Sequence, residues 1–176
     1  MTVGVLLLAA GSSRRFGSDK RFATLPAGGT LLDAAIENCL GSGIPMRVCV
    51  GSEDHDLIAR LARRGLDVTV CPRSSQGMGA TLADAVAGIL DWTAALVALG
   101  DMPMIQPATI NLIARHAAPD RICVPMCDER AGHPVAFGAA FFETLSQCEG
   151  DRGARWIIES HTTSVDTLAV DDPGIH

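Results

Sequence analysis

The sequence predicts a single α/β domain in which helices cover both faces of a mostly parallel sheet. Short apolar runs alternate repeatedly with segments of helical periodicity, and the connections between them are short. The 176 residues suffice for one domain with a sizeable core, and we find no linker, repeat or low-complexity segment among them. In such a sheet the loops that follow the strands lie at one edge, where ligands bind.

Apolar runs define the predicted strands. The first run is nearly continuous, as expected for a strand that is buried on both faces. The predicted strands cover residues 3–9, 46–50, 66–71, 94–99, 121–125, 134–137 and 164–170. Helical spacing of apolar residues predicts a helix after each of the first four strands, the last of these beginning near Pro107, and two short helices at 141–147 and 153–160.

The net charge of −6 at pH 7 argues against a protein that binds long polyanions or anionic membranes through its overall charge. Against this acidic background, residues 14–21 contain a basic cluster formed by Arg14, Arg15, Lys20 and Arg21. A local cluster of this kind favours a compact anionic ligand. We therefore expect neither a nucleic acid nor a membrane as partner.

Cysteine usage and the N-terminal sequence indicate a reducing compartment. None of the six cysteines forms a Cys-x-x-Cys pair, and most lie in apolar runs, which is typical of buried free thiols. The N-terminus lacks the charged segment of a signal peptide, and no stretch reaches the roughly 18 apolar residues that span a bilayer. The sequence thus predicts a cytoplasmic protein.

A loop rich in small residues follows the first predicted strand and holds the basic cluster. It is not a Walker A loop, because Lys20 follows Gly17 at the wrong distance, and it lacks the Gly-x-Gly-x-x-Gly spacing of dinucleotide-binding folds. Backbone amides near Gly11, the hydroxyls of Ser12 and Ser13, and the nearby cations are groups that hold a polyphosphate. From composition alone, an ordinary turn with solvated arginines is an equal alternative.

Five motifs resemble those of one nucleotidyltransferase family. Residues 8–20 read LAAGSSRRFGSDK and resemble the signature LAAGxSxRxGxxK of nucleotidyltransferases, most closely that of the MobA-like group. Further segments agree with that group in order: QGMGATL at 76–82, LGDMP at 99–103, GHPVAF at 132–137 and GDRGAR at 150–155. The last two narrow the match towards the molybdenum cofactor cytidylyltransferase branch. The resemblance implies a Rossmann-like three-layer sandwich of the nucleotide-diphospho-sugar transferase type.

The resemblance also implies a reaction. A nucleoside monophosphate, most simply CMP from CTP, would move onto a phosphorylated acceptor such as molybdopterin, with Mg²⁺ as cofactor, release of pyrophosphate and a partner in molybdoenzyme maturation. The residues implied in nucleotide binding are Leu8, Ala9, Ala10, Gly11, Ser12, Ser13, Arg15, Lys20, Gln76, Gly77 and Gly79. Arg15, Lys20 and Asp101 would be catalytic, with Asp101 as the metal ligand. The alternative for Asp101 is a turn residue before Pro103.

Three residues of the later motifs are expected on the acceptor side, namely His133, Asp151 and Arg155. In the family the loop with His133 lies beside the acceptor, although a lone histidine is more often structural. We do not expect His133 to act as a general base, because an acceptor phosphate is already ionised at neutral pH. Asp151 and Arg155 have an equal alternative as a helix N-terminal carboxylate and a surface cation.

The sequence departs from the family at its C-terminus. The family has an acidic segment after the last strand whose first carboxylates approach the metal, whereas this sequence ends at 171–176, where that segment would begin. Asp166 and Thr167 match it only partly and lie inside the last predicted strand. We therefore expect one nucleotidyltransferase domain over residues 1–176 that lacks the segment. Two other functions stay open: a non-catalytic nucleotide- or cofactor-binding module, and a transferase for a sugar or alditol phosphate.

Overall fold

A computed structural model describes residues 2–11, 19–26, 28–89 and 91–176. These residues contain eight strands: β1 (Val3–Leu8), β2 (Met46–Gly51), β3 (Asp67–Cys71), β4 (Ala94–Leu99), β5 (Ile122–Cys127), β6 (Arg130–Ala131), β7 (Val135–Gly138) and β8 (Val165–Ala169). They also contain six α-helices: α1 (Leu31–Gly41), α2 (His55–Arg63), α3 (Met78–Ala87), α4 (Pro107–His116), α5 (Phe142–Ser146) and α6 (Arg155–Ser160). Every predicted strand is present, with small shifts at the ends.

All strands of the described residues join one sheet. The internal strand β1 pairs in parallel with β2 and β4, and β2 pairs in parallel with β3. β7 pairs antiparallel with β4 on one side and with β5 on the other, and β8 runs parallel to β5 along its far side. Only β6 and β7 oppose the common direction. The prediction of a mostly parallel sheet is therefore confirmed.

The hairpin after β5 carries no turn signal in the sequence and was not predicted. Asp128 and Glu129 link Cys127 to Arg130, which pair across the hairpin, and both linking residues have positive φ, 50° and 60°. Positive φ at both positions is the mark of a tight two-residue hairpin turn, which usually contains asparagine or glycine. The pair Asp-Glu lacks that signal. The hairpin places β6 and β7 one after the other along the same side of β5.

The sheet separates two hydrophobic layers. Leu6 and Leu8 of β1 point into the layer that contains side chains of α3, α5 and α6, whereas Val5 and Leu7 point into the layer that contains side chains of α1, α2 and α4. Burial on both faces explains why this strand is a continuous apolar run rather than an alternating one. The arrangement of helices, sheet and helices confirms the predicted three-layer sandwich.

Residues at the ends of the helices either bond to the backbone groups that have no partner within the helix or lack such a group. The Thr30 hydroxyl accepts the N–H of Asp33 at 3.1 Å and caps α1, and Gly43, with φ of 72°, follows its end. Pro107 is the first residue of α4, where its missing N–H costs nothing. No helix within the described ranges is long and apolar enough to cross a bilayer.

All six cysteines are buried free thiols, as predicted. Burial raises the pKa of Cys39 to about 12, because the apolar surroundings disfavour the thiolate. That thiol is therefore protonated and unreactive at neutral pH.

Replacing Gly4 by alanine should destabilise the fold. A Cβ atom at Gly4 would lie 2.3 Å from the ring of Trp92, which packs against β1. We expect the free energy of unfolding, measured by urea denaturation, to fall by about 1–3 kcal/mol, as in other overpacked cores. Gly11→Ala is the matched control, because no described atom lies within 4 Å of its Cβ position. Equal loss of stability in both variants would contradict this packing.

Candidate active site

The ends of β1 and β4 bring the first and third motifs together. Because these strands are parallel neighbours, their carboxyl ends meet at the same edge of the sheet. The Gly100 N–H continues the pairing beyond the strands and donates to the Leu8 carbonyl at 2.9 Å. A Cβ atom on Gly100 would lie 3.1 Å from that oxygen and 3.3 Å from the Ala9 Cβ, so glycine allows the two turns to approach closely. Asp101 follows directly and is exposed.

The start of the small-residue loop is fixed by the neighbouring strand. Ala9 donates its N–H to the Cys49 carbonyl at 2.8 Å, and the side chains of Ala9 and Ala10 are buried. Gly11 is exposed, and no described atom lies within 4 Å of its Cβ position. Small side chains followed by an open glycine leave room for a ligand to contact the backbone of this loop.

Of the predicted triphosphate ligands that follow Gly11, the structure describes Lys20. Ser12, Ser13 and Arg15 lie in 12–18, outside the described residues. Lys20 is half-buried and begins a single 3-10 turn, Lys20–Phe22. It is also the only lysine in the 176-residue sequence, so its amine can be labelled selectively among the side chains.

Arg21, the last residue of the basic cluster, does not face solvent. It is only 5% exposed, and its Nη1 donates to the Ala9 carbonyl at 2.6 Å and to Asp54 Oδ2 at 2.7 Å. Nη2 donates to Asp54 Oδ1 at 2.9 Å, and Nε donates to Asp19 Oδ1 at 2.9 Å. The positive charge of Arg21 is therefore neutralised inside the protein, and it does not add to the field of the basic cluster as the sequence suggests.

Ion pairs on both sides keep the Arg21 group charged. Burial alone would lower the pKa of Arg21, but its hydrogen bonds to Asp19 and Asp54 outweigh burial and raise that pKa. At Asp19, burial acts to raise the pKa, and the hydrogen bonds from Arg21 lower it overall. Arg21 and Asp19 thus stabilise each other's charged forms at neutral pH.

The second motif covers the end of a short loop and the first turns of α3, and that loop is anchored to the same helix. Arg73 donates to the Asp84 carboxylate from its backbone N at 2.8 Å and from its Nε at 2.7 Å. The short 3-10 turn that follows, Ser74–Gln76, leaves Gln76 exposed. Gly77 has φ of 126°, a conformation that L side chains rarely adopt, and α3 begins after it.

Gly77 and Gly79 allow the fifth motif to pack directly on the second. A Cβ atom on Gly77 would lie 2.4 Å from the backbone carbon of Gly150 and 2.6 Å from Asp151 Oδ1. A Cβ atom on Gly79 would lie 2.6 Å from the Glu149 carbonyl oxygen. Side chains at these positions would force the two segments apart. A residue predicted on the acceptor side, Asp151, therefore lies beside residues predicted to bind the nucleotide.

Arg155, the other predicted acceptor residue of the fifth motif, lies at the start of α6. It is exposed, and its Nε donates to Glu159 Oε1 one helical turn later at 2.9 Å. An exposed pair of this spacing contributes little to stability. Its position fits the structural alternative stated for this residue, a surface cation on a helix.

His133 lies between β6 and β7, near the carboxyl end of β4. Its N–H donates to the Ile175 carbonyl at 2.9 Å, and its peptide bond to Pro134 is cis. Burial lowers the pKa of His133, although the Val97 carbonyl and the Asp101 carboxylate act in the opposite direction. The ring is therefore neutral at pH 7. Its Nδ1 is buried and has no hydrogen-bond partner in the part of the chain that the structure describes.

Asp172 is a structural residue that sequence reasoning missed. Its carboxylate is buried and accepts the N–H of Gln106 at 2.9 Å and the N–H of Gly174 at 3.0 Å. A Cβ atom on Gly174 would lie 2.2 Å from the Met104 carbonyl, so the C-terminal turn packs tightly against the loop after Asp101. The clue in the sequence is Asp-x-Gly, a common turn pattern in which the carboxylate accepts an amide two residues on.

Asp166, the partial match to the family's acidic segment, lies elsewhere. It stands opposite Cys123 near the amino ends of β5 and β8, and Nε of Arg121 donates to its Oδ2 at 2.8 Å, while Nη2 donates to its Oδ1. The parallel direction of the strands separates this end of the sheet from Asp101. Asp166 therefore does not replace the acidic segment.

The donor set at Asp101 fits one type of metal site. The described residues contain no group of three or more His, Cys, Asp or Glu side chains that could together hold an ion. A hard divalent cation needs only one or two carboxylates when the substrate phosphates supply its other ligands. Asp101 offers one exposed carboxylate, next to the residue whose N–H bonds to the Leu8 carbonyl at the end of β1.

A family model described as the MobA-like NTP transferase domain matches residues 5–165. The chain belongs to this family. Among curated proteins it is similar to nicotine blue oxidoreductase of Paenarthrobacter nicotinovorans, with 29% identity over 177 residues that cover 95% of this chain and 86% of that protein. The family match and the position of its motifs identify the chain as a nucleotidyltransferase, as predicted.

Solved structures agree with this assignment. Rv0371c of Mycobacterium tuberculosis H37Rv is 28% identical, with a TM-score of 0.85 over 97% of this chain and 88% of that one. A second structure of Rv0371c, in complex with manganese, gives 26% identity and a TM-score of 0.80 over 97% of this chain and 89% of that one. A Methanothermobacter nucleotidyl transferase shares the fold at 21% identity, with a TM-score of 0.79 over 98% of this chain and 88% of that one.

Gly79→Ala should loosen the contact between the second and fifth motifs. The new Cβ would push the backbone at Glu149 away, so we expect the free energy of unfolding to fall by about 1–3 kcal/mol. Hydrogen exchange of the amides in 149–153 should rise by a larger factor than exchange in β1. Gly88→Ala is the control, because its Cβ would lie 3.1 Å from the flexible end of Arg47 and at an ordinary contact distance of 3.7 Å from the Ala85 carbonyl oxygen. Unchanged exchange in 149–153 would disprove the contact.

Proposed function

We propose that this protein transfers a nucleoside monophosphate from a nucleoside triphosphate, with CTP favoured, to a phosphorylated acceptor such as molybdopterin. An acceptor phosphate oxygen attacks the α-phosphorus, the bond from the α-phosphorus to the oxygen bridging it to the β-phosphorus breaks, and pyrophosphate leaves. The acceptor oxygen is already ionised, so no general base is needed. Mg²⁺ is the proposed metal. A cytoplasmic location and a partner in molybdoenzyme maturation complete the proposal.

The hydrogen bond from Gly100 to the Leu8 carbonyl is the observation that carries this proposal. This bond, 2.9 Å from the Gly100 nitrogen to the Leu8 oxygen, holds the turn with Asp101 beside the loop that begins at Ala9. A triphosphate held by the backbone of that loop would have its α-phosphate within reach of an ion at Asp101. Neither group alone could position and activate a nucleotide, whereas the two together can.

Charge stabilisation is the proposed role of the basic groups. Phosphoryl transfer needs little covalent chemistry from the protein, so catalysis depends on positioning and on neutralising the charge that develops on pyrophosphate. Backbone amides of residues 10–13, with Arg15 and Lys20, would supply that neutralisation. A metal ion held by Asp101 would neutralise charge on the α-phosphate and the incoming oxygen.

Nucleotide and acceptor would meet between the second and fifth motifs. Ala9 and Ala10 are small and buried, which permits a base to lie close to the backbone. Gln76, Gly77 and Gly79 would complete the nucleotide side of the cleft. The preference for CTP over GTP or ATP rests on the resemblance to the cytidylyltransferase branch.

His133 is the proposed acceptor contact nearest to the metal ligand. Its neutral ring and its unpaired Nδ1 suit hydrogen bonding to a pterin or to a phosphate oxygen better than they suit a fixed ion pair. Asp151 would close over the acceptor from the other side. For Arg155 to contact the acceptor, its hydrogen bond to Glu159 must break when the acceptor binds.

Measured pyrophosphate release tests the proposal. The protein is incubated with CTP, GTP or ATP and Mg²⁺, with and without molybdopterin, and with a sugar 1-phosphate as the alternative acceptor. We expect release with CTP and molybdopterin to exceed the other combinations. Protein that binds nucleotide by calorimetry but releases no pyrophosphate with any acceptor would instead be a binding module.

Lys20→Ala and Asp101→Ala should each reduce the transfer rate by about 10²–10³, the effect of losing one preorganised charge-stabilising group. Asp120→Ala is the matched control, because Asp120 is exposed and precedes β5 at the opposite edge of the sheet. It should leave the rate unchanged. A loss below about threefold at Lys20 or Asp101 would reject the assigned roles.

Removing divalent metal should abolish transfer while leaving the fold intact. Because Asp101 is the carboxylate proposed to hold the ion, chelation with EDTA should lower the rate to background, and added Mg²⁺ or Mn²⁺ should restore it. Circular dichroism and thermal unfolding should not change, since the described residues contain no metal cluster that holds the fold together. Full activity in EDTA would exclude this mechanism.

A second candidate function follows from the similarity to an oxidoreductase. A MobA-like domain could hold a reduced dinucleotide by its phosphates at the same loop and transfer hydride instead of a nucleotidyl group. Incubation with NADH or NADPH and an electron-accepting dye, followed by absorbance of the reduced nicotinamide, separates the two. Turnover of the dye that survives Asp101→Ala would favour the oxidoreductase.

A further inference from the structure

We propose that Arg21 is a positioning residue that holds the two described ends of the proposed triphosphate-binding loop, at Ala9 and Asp19, without touching the ligand. The proposal deepens the function above and rests on it. Arg21 connects three parts of the chain: the end of β1 through Ala9, the return of the small-residue loop through Asp19, and the turn between β2 and α2 through Asp54. Ala9 and Asp54 lie 12 and 33 residues from Arg21 in the sequence, and Arg21 is the described side chain that bonds to all three parts.

Every N–H group of the guanidinium is engaged within the protein. Nε donates to both oxygens of Asp19, at 2.9 and 3.0 Å. Nη1 donates to Ala9 O and Asp54 Oδ2, and Nη2 donates to Asp19 Oδ2 at 2.5 Å and to Asp54 Oδ1. An arginine side chain has five N–H donors, and these contacts use them all. No donor remains for a phosphate.

The contacts of Arg21 act on the two groups proposed to hold the triphosphate. Through its bond to the Ala9 carbonyl, Arg21 orients the peptide that leads into Ala10 and Gly11. Through Asp19, which also accepts the Arg21 N–H at 3.1 Å, it fixes the turn that carries Lys20. Arg21 thereby determines the spacing between the loop backbone and the Lys20 amine, although it belongs to neither group.

Asp54 is the fixed end of this arrangement. Its Oδ2 also accepts the Gly51 N–H at 3.0 Å, so its carboxylate is tied to the end of β2. A planar guanidinium can bridge two carboxylates and a carbonyl, whereas a lysine amine, with three donors on a single nitrogen, cannot reach all of them. A lysine at position 21 would keep the charge and lose the geometry.

Substitution of Asp19 or Asp54 distinguishes a positioning role of Arg21 from direct phosphate binding, because the two roles predict opposite changes in the transfer rate. If Arg21 bound phosphate directly, Asp54→Asn or Asp19→Asn would free its charge and remove a repulsive one, so triphosphate binding and rate would improve. If Arg21 positions the loop, the same changes disturb the bridge and slow transfer. The two roles therefore predict opposite results from variants that never remove the arginine.

The kinetic test compares Asp54→Asn, Asp19→Asn, Arg21→Gln and Arg21→Lys with the wild type. We expect kcat to fall about 10- to 100-fold, as for misplaced catalytic groups, with a smaller change in KM for the triphosphate and no rescue by Arg21→Lys. Arg121→Gln is the matched control, because it breaks an arginine–aspartate pair with Asp166 at the opposite end of the sheet. Unchanged or faster transfer by both aspartate variants, or recovery of most activity in Arg21→Lys, would overturn the proposal.

A second readout needs neither nucleotide nor activity. Reductive methylation with ¹³C-formaldehyde labels Lys20 as the only lysine, and loss of its NMR signal in Lys20→Arg assigns it. In nucleotide-free protein, Arg21→Gln and Asp54→Asn should shift the dimethyl-Lys20 resonance, whereas Arg121→Gln should not. If the wild type transfers no nucleotide, the proposed function fails, yet this resonance still decides the positioning. An unchanged Lys20 resonance in both variants would overturn the proposal that Arg21 is a positioning residue.

Discussion

Parallel pairing of β1 with β4 is the constraint on which the site depends. The two strands are central and buried on both faces, so a shift in their register would force the side chains of both layers to repack. Their carboxyl ends are consequently held side by side, and the bond from Gly100 to the Leu8 carbonyl extends that register into the turns. The distance between the small-residue loop and Asp101 follows from the sheet itself.

Glycines allow segments of the candidate site to pack closely against their neighbours. At Gly100, Gly77 and Gly79, a Cβ atom would meet a neighbouring segment at 3.1 Å or less. Motifs that are far apart in sequence therefore touch in two pairs: the first motif contacts the third, and the second contacts the fifth. These three glycines are needed because they have no side chain to keep the neighbouring backbone away. Of the three, Gly77 also needs the conformational freedom of glycine, because its φ is positive.

Local patterns were sufficient to predict every strand except β6, the α-helices and the layers, because each of these depends on apolar periodicity within a short window. The partners of charged residues could not be predicted in this way. Arg21 appears in the sequence beside Lys20 as one more cation, and its burial follows from Asp54, which lies 33 residues away. Asp172 likewise looks like an acidic tail, although its hydrogen-bond partner Gln106 fixes it in the interior. Charge is visible in a sequence, whereas its neutralisation is a tertiary property.

The reversed direction of β7 separates two parts of the candidate site. Because β7 is antiparallel to β4, its first residues, not its last, arrive beside Asp101 and bring His133 with them. The hairpin between β5 and β7 can therefore change length or composition without altering the pairing of the strands from β3 to β4. In the proposed function, a change of acceptor at His133 would then leave the proposed nucleotide-binding motifs in place.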